Sequence, residues 1–188
     1  MYKHHEQSIA NMKDYYRKHE AIALILIGSV AKGTERADSD LDGVVILSEE
    51  EYAEKEKNNT TTETINGLCT YEGGYFDIKY MTKQYLKDLA EKGSEPARNG
   101  FTKARILFCN DAEIENILPL IPVFQKTEKN EKLLSFYSDF WINYYYFLKS
   151  CPIDGYMKMN TITEIIYSIY RMILQENEIL FDCNRRLE

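Results

Sequence analysis

GSVAKGTERADSDLDG, residues 28–43, lies between two short apolar runs, AIALILI before it and LDGVVIL overlapping its end. The runs predict two buried strands joined by a glycine-containing turn and a short helix. The turn is not a Walker loop, because Lys32 precedes Gly33 and no Gly-Lys-Ser/Thr comes after it. It also lacks the three glycines of the dinucleotide fingerprint. A pair of acids, Asp40 and Asp42, comes after the turn instead, and two negative charges beside a turn suited to phosphate need an explanation.

Asp40 and Asp42 predict a cation site. We place both on the second strand, where alternation points residues two apart to the same face. Two neighbouring carboxylates are costly unless a positive charge lies between them. Mg²⁺ prefers oxygen ligands and binds phosphates, so it suits this pair. The alternative is that ADSDLD is a capped turn with solvated acids.

The turn also carries groups that can bind a nucleotide. Its backbone amides and hydroxyls can contact phosphate oxygens, and its lysine can contact the same anion. The predicted nucleotide-binding residues are Gly28, Ser29, Lys32, Gly33 and Ser39.

A third acid, Asp77, lies in the run YFDIKYM at residues 75–81. Aspartate is disfavoured in the middle of a strand, so its presence needs a reason. One reason is an ion pair with Lys79, which lies on the same face. The other, which we favour, is a third metal-site carboxylate that ligates a second cation and accepts the proton of an attacking hydroxyl.

These residues resemble the signature of the DNA polymerase β-type nucleotidyltransferase superfamily: Gly-Ser, three residues, Gly, several residues, then Ser-Asp-x-Asp. The matching positions are Gly28-Ser29, Gly33 and residues 39–42. The order of elements is most similar to that of aminoglycoside and lincosamide nucleotidyltransferases. The resemblance implies an α+β fold, with a mixed β-sheet core, flanking helices and an α-helical C-terminal region. It also implies a third acid on a later strand, and Asp77 matches that position.

The resemblance implies an enzyme that moves a nucleoside monophosphate from an NTP to a hydroxyl of a small, aminoglycoside- or lincosamide-like molecule, with release of pyrophosphate. Asp40, Asp42 and Asp77 would be catalytic and would hold two Mg²⁺ ions, with Mn²⁺ as the other suitable metal. ATP is the expected nucleotide. The alternatives are an antitoxin-type enzyme that modifies a protein or tRNA, and a catalytically silent nucleotide-binding module.

Composition limits the partners. A net charge of −7 argues against a large nucleic-acid footprint. The longest apolar run is too short to span a bilayer, so we expect a cytoplasmic protein. The cysteines are widely spaced and histidines are few, which favours free thiols over a zinc site.

Two prolines and the charged stretch QKTEKNEK predict a boundary between a nucleotidyltransferase domain, residues 1–122, and a helical domain, residues 123–188. Two long helices are expected in the second, the later one beginning at a capping box of Thr161 and Glu164. The aromatic stripe of the first of these helices is either helix–helix core, which we favour, or an acceptor-binding wall. Two such helices cannot bury both faces. We therefore expect them to pack on the first domain, to form a homodimer, or to belong to a longer protein.

Overall fold

The computed structural model describes residues 1–19 and 21–183. The chain divides into two compact units, Met1–Val123 and Phe124–Glu188. The first unit carries a five-stranded sheet with strands β1 (Ala23–Leu26), β2 (Leu41–Leu47), β3 (Thr62–Asn66), β4 (Tyr75–Thr82) and β5 (Arg105–Cys109). Its helices are α1 (Lys3–Arg17), α2 (Gly28–Lys32), α3 (Glu49–Lys57), α4 (Lys83–Lys92), α5 (Glu95–Gly100) and α6 (Ala112–Ile117).

The sheet is mixed. Its strand order is β3-β4-β2-β1-β5, with β2 and β4 parallel and the other neighbours antiparallel. The strands β3 and β4 follow each other in the chain and pair antiparallel, so they form a hairpin. Together with the helical second unit, this sheet confirms the predicted α+β fold.

The core consists of two layers, one on each face of the sheet. Residues of β1 are buried throughout, because this strand has covered faces on both sides. On one face, α1 contributes Met12 and Tyr16 to a layer that includes Leu41, Val45 and Tyr80. On the other face, residues of α4 and α6 pack against the alternate positions of β1 and β2. The alternation of β2 and β4 therefore decides which side chains reach which layer.

The second unit contains α7 (Lys129–Trp141), a π-helical segment (Ile142–Leu148) and α8 (Gly155–Glu176), and α7 packs against α8. The prediction that this last helix begins at Thr161 is wrong. Asp154 caps α8 instead, since its Oδ1 accepts a hydrogen bond from the Gly155 amide at 2.7 Å. Aspartate is as good an N-cap as threonine, and Gly155 adopts a left-handed φ of +54° at the first turn.

The aromatic stripe of the second unit is not fully buried. No residue of α7 or of the π-helical segment is buried, and Trp141 and Tyr145 keep 48% and 41% of their surface exposed. Of the aromatic residues that we expected in a helix–helix core, only some, such as Phe140 and Phe147, are half-buried. No helix within the described residues is long and apolar enough to cross a membrane.

Candidate active site

Two of the predicted acids meet across neighbouring strands. The parallel register of β2 and β4 pairs Asp42 with Asp77. All residues of β2 except Asp42 are buried, so Asp42 is the one residue of this strand that is partly exposed to solvent. The prediction that Asp40 lies on the same strand is wrong by one residue, because β2 begins at Leu41, the first residue that pairs with β4. Asp40 therefore lies in the loop that leads into the strand.

Lys79 lies between these two carboxylates. Its Nζ is 2.9 Å from Asp77 Oδ2 and 3.5 Å from Asp42 Oδ1. Sequence reasoning considered Lys79 only as a partner of Asp77, since nothing in the local pattern predicts its second contact on another strand. The lysine is thus a built-in counter-charge for both acids.

Burial and charge oppose each other at this cluster. Burial raises the pKa of Asp42, and repulsion from Asp40 and Asp77 adds to this, while the Lys79 ammonium acts in the opposite direction. For Lys79, burial lowers the pKa, but its hydrogen bond to Asp77 and the charge of Asp42 outweigh burial, and the pKa is raised. Burial together with the two neighbouring acids therefore outweighs the Lys79 ammonium, and the pKa of Asp42 is raised.

Gly28 allows the close approach of Asp42. Its φ is +73°, in the region that favours glycine, and a Cβ built on it would lie 2.0 Å from Asp42 Oδ2. The Ile27 amide also donates to the Asp42 carbonyl at 3.0 Å. The glycine of the Gly-Ser pair is therefore required so that the start of α2 can lie against the acid.

The other predicted nucleotide-binding residues have structural partners. Gly33 ends α2 at φ +77°, and the next amide, that of Thr34, donates to the Ser29 carbonyl at 3.0 Å. The Lys32 ammonium donates to Asn99 Oδ1 at 2.6 Å. The Ser39 hydroxyl oxygen accepts from the Arg36 amide at 3.0 Å. Gly33, Lys32 and Ser39 therefore all lie around the turn, and each is held by a contact within the chain.

Side chains from distant parts of the chain hold the loop before β2. Tyr71 donates its hydroxyl proton to the Ser39 carbonyl at 2.5 Å, and His4 Nε2 donates to the Ala37 carbonyl at 2.9 Å. The Asp40 carboxylate accepts a hydrogen bond from Tyr75, which raises the pKa of that phenol. Sequence reasoning missed all three side chains, because their contacts span 32 or more positions in two cases and depend on β4 in the third.

The acids fit a hard divalent cation in donor type and in charge. Carboxylate oxygens are ligands that Mg²⁺ prefers, and Asp42 and Asp77 are paired across the neighbouring strands β2 and β4. In the described residues, however, no three His, Cys, Asp or Glu side chains are placed to hold one ion. Lys79 lies in the space between two of the acids, so a cation would have to displace its ammonium.

The first unit of the chain matches a known protein family. The family model described as Polymerase beta, Nucleotidyltransferase matches residues 10–113, which include α2, β2 and β4. The comparison with curated proteins gave no match. Among solved structures, the chain is similar to a nucleotidyltransferase-like protein from Exiguobacterium sibiricum 255-15, with 12% identity and a TM-score of 0.47 over 92% of this chain.

The chain spans 57% of the length of that solved structure. The family assignment depends instead on the family match, which covers more than half of the chain and includes the Gly-Ser turn and all three acids. We conclude that this chain belongs to the polymerase β-type nucleotidyltransferase family.

Proposed function

We propose that this protein transfers a nucleoside monophosphate from an NTP, with ATP as the first candidate, to a hydroxyl of a small molecule and releases pyrophosphate. One observation carries the proposal. Asp42 on β2 faces Asp77 on β4, while Gly28 lets the turn before α2 lie directly against the Asp42 carboxylate. A triphosphate bound at the turn would then have its negative charge next to the acids. This arrangement is favourable only if a cation lies between the phosphates and the carboxylates.

Asp40, Asp42 and Asp77 would hold the divalent cation, either Mg²⁺ or Mn²⁺. When bound, the cation neutralises charge on the triphosphate and on the leaving pyrophosphate. In the transfer, the acceptor oxygen forms a bond to the α-phosphorus as the bond to the bridging oxygen breaks, and the electron pair leaves with pyrophosphate. Asp77, on the half-buried face of β4, would accept the hydroxyl proton.

Lys79 would neutralise Asp42 and Asp77 until the cation arrives. Its ammonium contacts both carboxylates and its side chain is 35% exposed, so it has room to move outward. Once displaced, it remains beside the bound triphosphate and can contact a phosphate oxygen. The small hydroxylated acceptor remains the preferred class, with aminoglycosides and lincosamides to be tested first, because the net charge of −7 disfavours a nucleic-acid acceptor.

A catalytically silent nucleotide-binding module is the second candidate. It is favoured by the same lysine, because a fixed ammonium between Asp42 and Asp77 would replace the metal permanently. The two candidates differ in whether metal is needed for the nucleotide to bind.

Calorimetric titration with a non-hydrolysable ATP analogue, with and without Mg²⁺, tests the proposal. We expect binding in the range of roughly 1 μM to 1 mM that is typical of enzyme substrates, only with metal and only with the acids intact. Asp42→Asn and Asp77→Asn should abolish it. Asp38→Asn is the matched control. Asp38 lies in the loop before β2, as Asp40 does, but it is exposed and pairs with Arg36.

Transfer itself is measured with an NTP labelled at the α-phosphate and a panel of hydroxylated acceptors. Label that appears in the acceptor, and disappears in Asp42→Asn, would establish the activity. Nucleotide binding that persists without metal, combined with no transfer to any acceptor, would identify the silent module instead.

A further inference from the structure

A cavity of about 510 Å³ lies on the opposite face of the sheet from the acids. Val45 and Tyr80, which pair in the register of β2 and β4, line it together with Tyr16 of α1 and Lys55 of α3. Both strand residues belong to the layer covered by α1, whereas Asp42 is on the other face and nearer the start of β2. The cavity is therefore separate from the candidate active site.

Three polar side chains of this cavity, Tyr16, Tyr80 and Glu63, form an ordered hydrogen-bond chain. The Tyr80 hydroxyl donates to Glu63 Oε2 at 2.7 Å, and the Tyr16 and Tyr80 hydroxyl oxygens are 3.1 Å apart. Since the single proton of Tyr80 is used on the carboxylate, the Tyr16 hydroxyl must donate to Tyr80. Both phenolic protons are consumed inside the hydrogen-bond chain, so it offers a ligand only lone pairs and the Glu63 carboxylate.

Both tyrosines stay protonated near neutral pH. Tyr16 and Tyr80 are 3% and 7% exposed. Burial raises the pKa of Tyr16 to about 12, and burial together with the hydrogen bonds to Tyr16 and Glu63 raises that of Tyr80 further. The direction of the hydrogen-bond chain is therefore fixed under physiological conditions.

The cavity already holds one cation from its own wall. Lys55 Nζ lies 3.7 Å from the centre of the Tyr80 ring, a cation–π contact. The cavity lining also includes Glu51, Glu54 and Glu63, so carboxylates outnumber this single lysine. The aromatic face, the acceptor-only hydrogen-bond chain and the acidic lining all favour a positively charged hydrogen-bond donor.

We propose that this cavity is a second binding site that takes a small primary ammonium ion, such as an alkyl diamine. The –NH₃⁺ group would displace Lys55 from the Tyr80 ring and donate to Glu63 and to the Tyr16 oxygen. A quaternary ammonium has no N–H donor, so it gains only the ring contact and should bind more weakly. The inference does not depend on nucleotidyl transfer, because the cavity shares no residue with the acid cluster.

The test is a titration of the full chain with 1,4-diaminobutane, followed by amide chemical shifts in two-dimensional NMR, with choline as the quaternary comparison. We expect saturable shifts in α1, α3 and β4. Glu63→Gln should weaken binding about fivefold or more, because a charged acceptor is lost. Lys55→Met should strengthen it roughly three- to fivefold, because the competing ammonium is gone.

Glu56→Gln is the matched control, since Glu56 is an exposed acid of α3 that does not line the cavity. It should leave the affinity unchanged. Absence of saturable binding would overturn the proposal. It would also be overturned if the control weakened binding as much as Glu63→Gln, or if choline bound as tightly as the diamine, because either result would indicate general attraction to an acidic surface.

Discussion

Gly28→Ala is the substitution that tests most directly how the turn holds the acid. Gly28 and Gly33 have almost the same backbone conformation, with φ of +73° and +77°. A side chain at either position costs about 1–2 kcal/mol, because a Cβ is disfavoured in the left-handed region. The two sites differ in their surroundings. A Cβ at Gly33 would meet nothing within 4 Å, whereas at Gly28 it would overlap the Asp42 carboxylate.

This overlap sets the expected magnitude. A Cβ 2.0 Å from Asp42 Oδ2 and 2.7 Å from Cγ forces the carboxylate to rotate or α2 to move away from β2. Overpacking of this kind costs typically about 1–3 kcal/mol. We therefore expect Gly28→Ala to destabilise the first unit by about 2–5 kcal/mol, against about 1–2 kcal/mol for Gly33→Ala.

Amide hydrogen exchange of β1 and β2 measures the stability of the first unit alone. Trp141, the only tryptophan of the chain, lies in the second unit, and its fluorescence provides an internal control. Adding Asp42→Ala to Gly28→Ala removes Oδ2 and Cγ, the two nearest atoms, and leaves only the Cβ at 2.9 Å. The double variant should therefore recover part of the loss, about 1–3 kcal/mol relative to additivity. Equal losses for Gly28→Ala and Gly33→Ala, with a coupling below about 0.5 kcal/mol, would refute the role assigned to Gly28.

Three further predictions concern charged residues. Arg98→Met should destabilise the first unit by about 3–5 kcal/mol in the same exchange measurement, because a 2% exposed guanidinium that donates to four backbone carbonyls would be lost. Lys83 lowers the pKa of Asp111 in the folded protein. The ion pair therefore stabilises the fold above the unfolded-state pKa of about 4, and this stabilisation is lost as pH falls through the folded-state pKa. In thermal melts at decreasing pH, the melting temperature of Asp111→Asn, which keeps the helix cap, should fall less than that of the unmodified protein. Asp111→Ala, which lacks the cap, should have a lower melting temperature at every pH. Lys79→Met should tighten Mn²⁺ binding in the absence of nucleotide, measured by electron paramagnetic resonance, and weaker binding would show that the lysine does not compete with the metal.

Local sequence was sufficient to predict most of the acid cluster. Asp42 and Asp77 could be singled out because each interrupts a run of strand-forming residues, where aspartate is disfavoured. Gly28 could be singled out because it matches the glycine of the Gly-Ser pair in the family signature. The fold class could be predicted from the resemblance of these residues to the nucleotidyltransferase signature.

The features that could not be predicted depend on pairing between distant segments. The contact of Lys79 with Asp42 exists only because β2 and β4 are parallel neighbours, and no periodicity within either strand predicts that pairing. The hydroxyl of Tyr71 reaches the Ser39 carbonyl from a loop 32 positions away. At the start of α8, sequence reasoning identified only Thr161 as a cap, whereas the structure uses Asp154, earlier in the chain.

The packing of the core determines on which face of β4 the residues of the acid cluster lie. Phe76, Ile78 and Tyr80 alternate into the layer covered by α1, and this forces Asp77 and Lys79 to the other face of β4. A slip of one residue would bury the charged pair and expose the apolar residues, so the register is strongly specified. Because the same register places Asp77 opposite Asp42, the hydrophobic pattern that stabilises the sheet also assembles the acids. The two faces can then serve different ligands, because Tyr80, which lines the cavity on the α1 side of the sheet, alternates along β4 with Asp77 and Lys79 of the acid cluster.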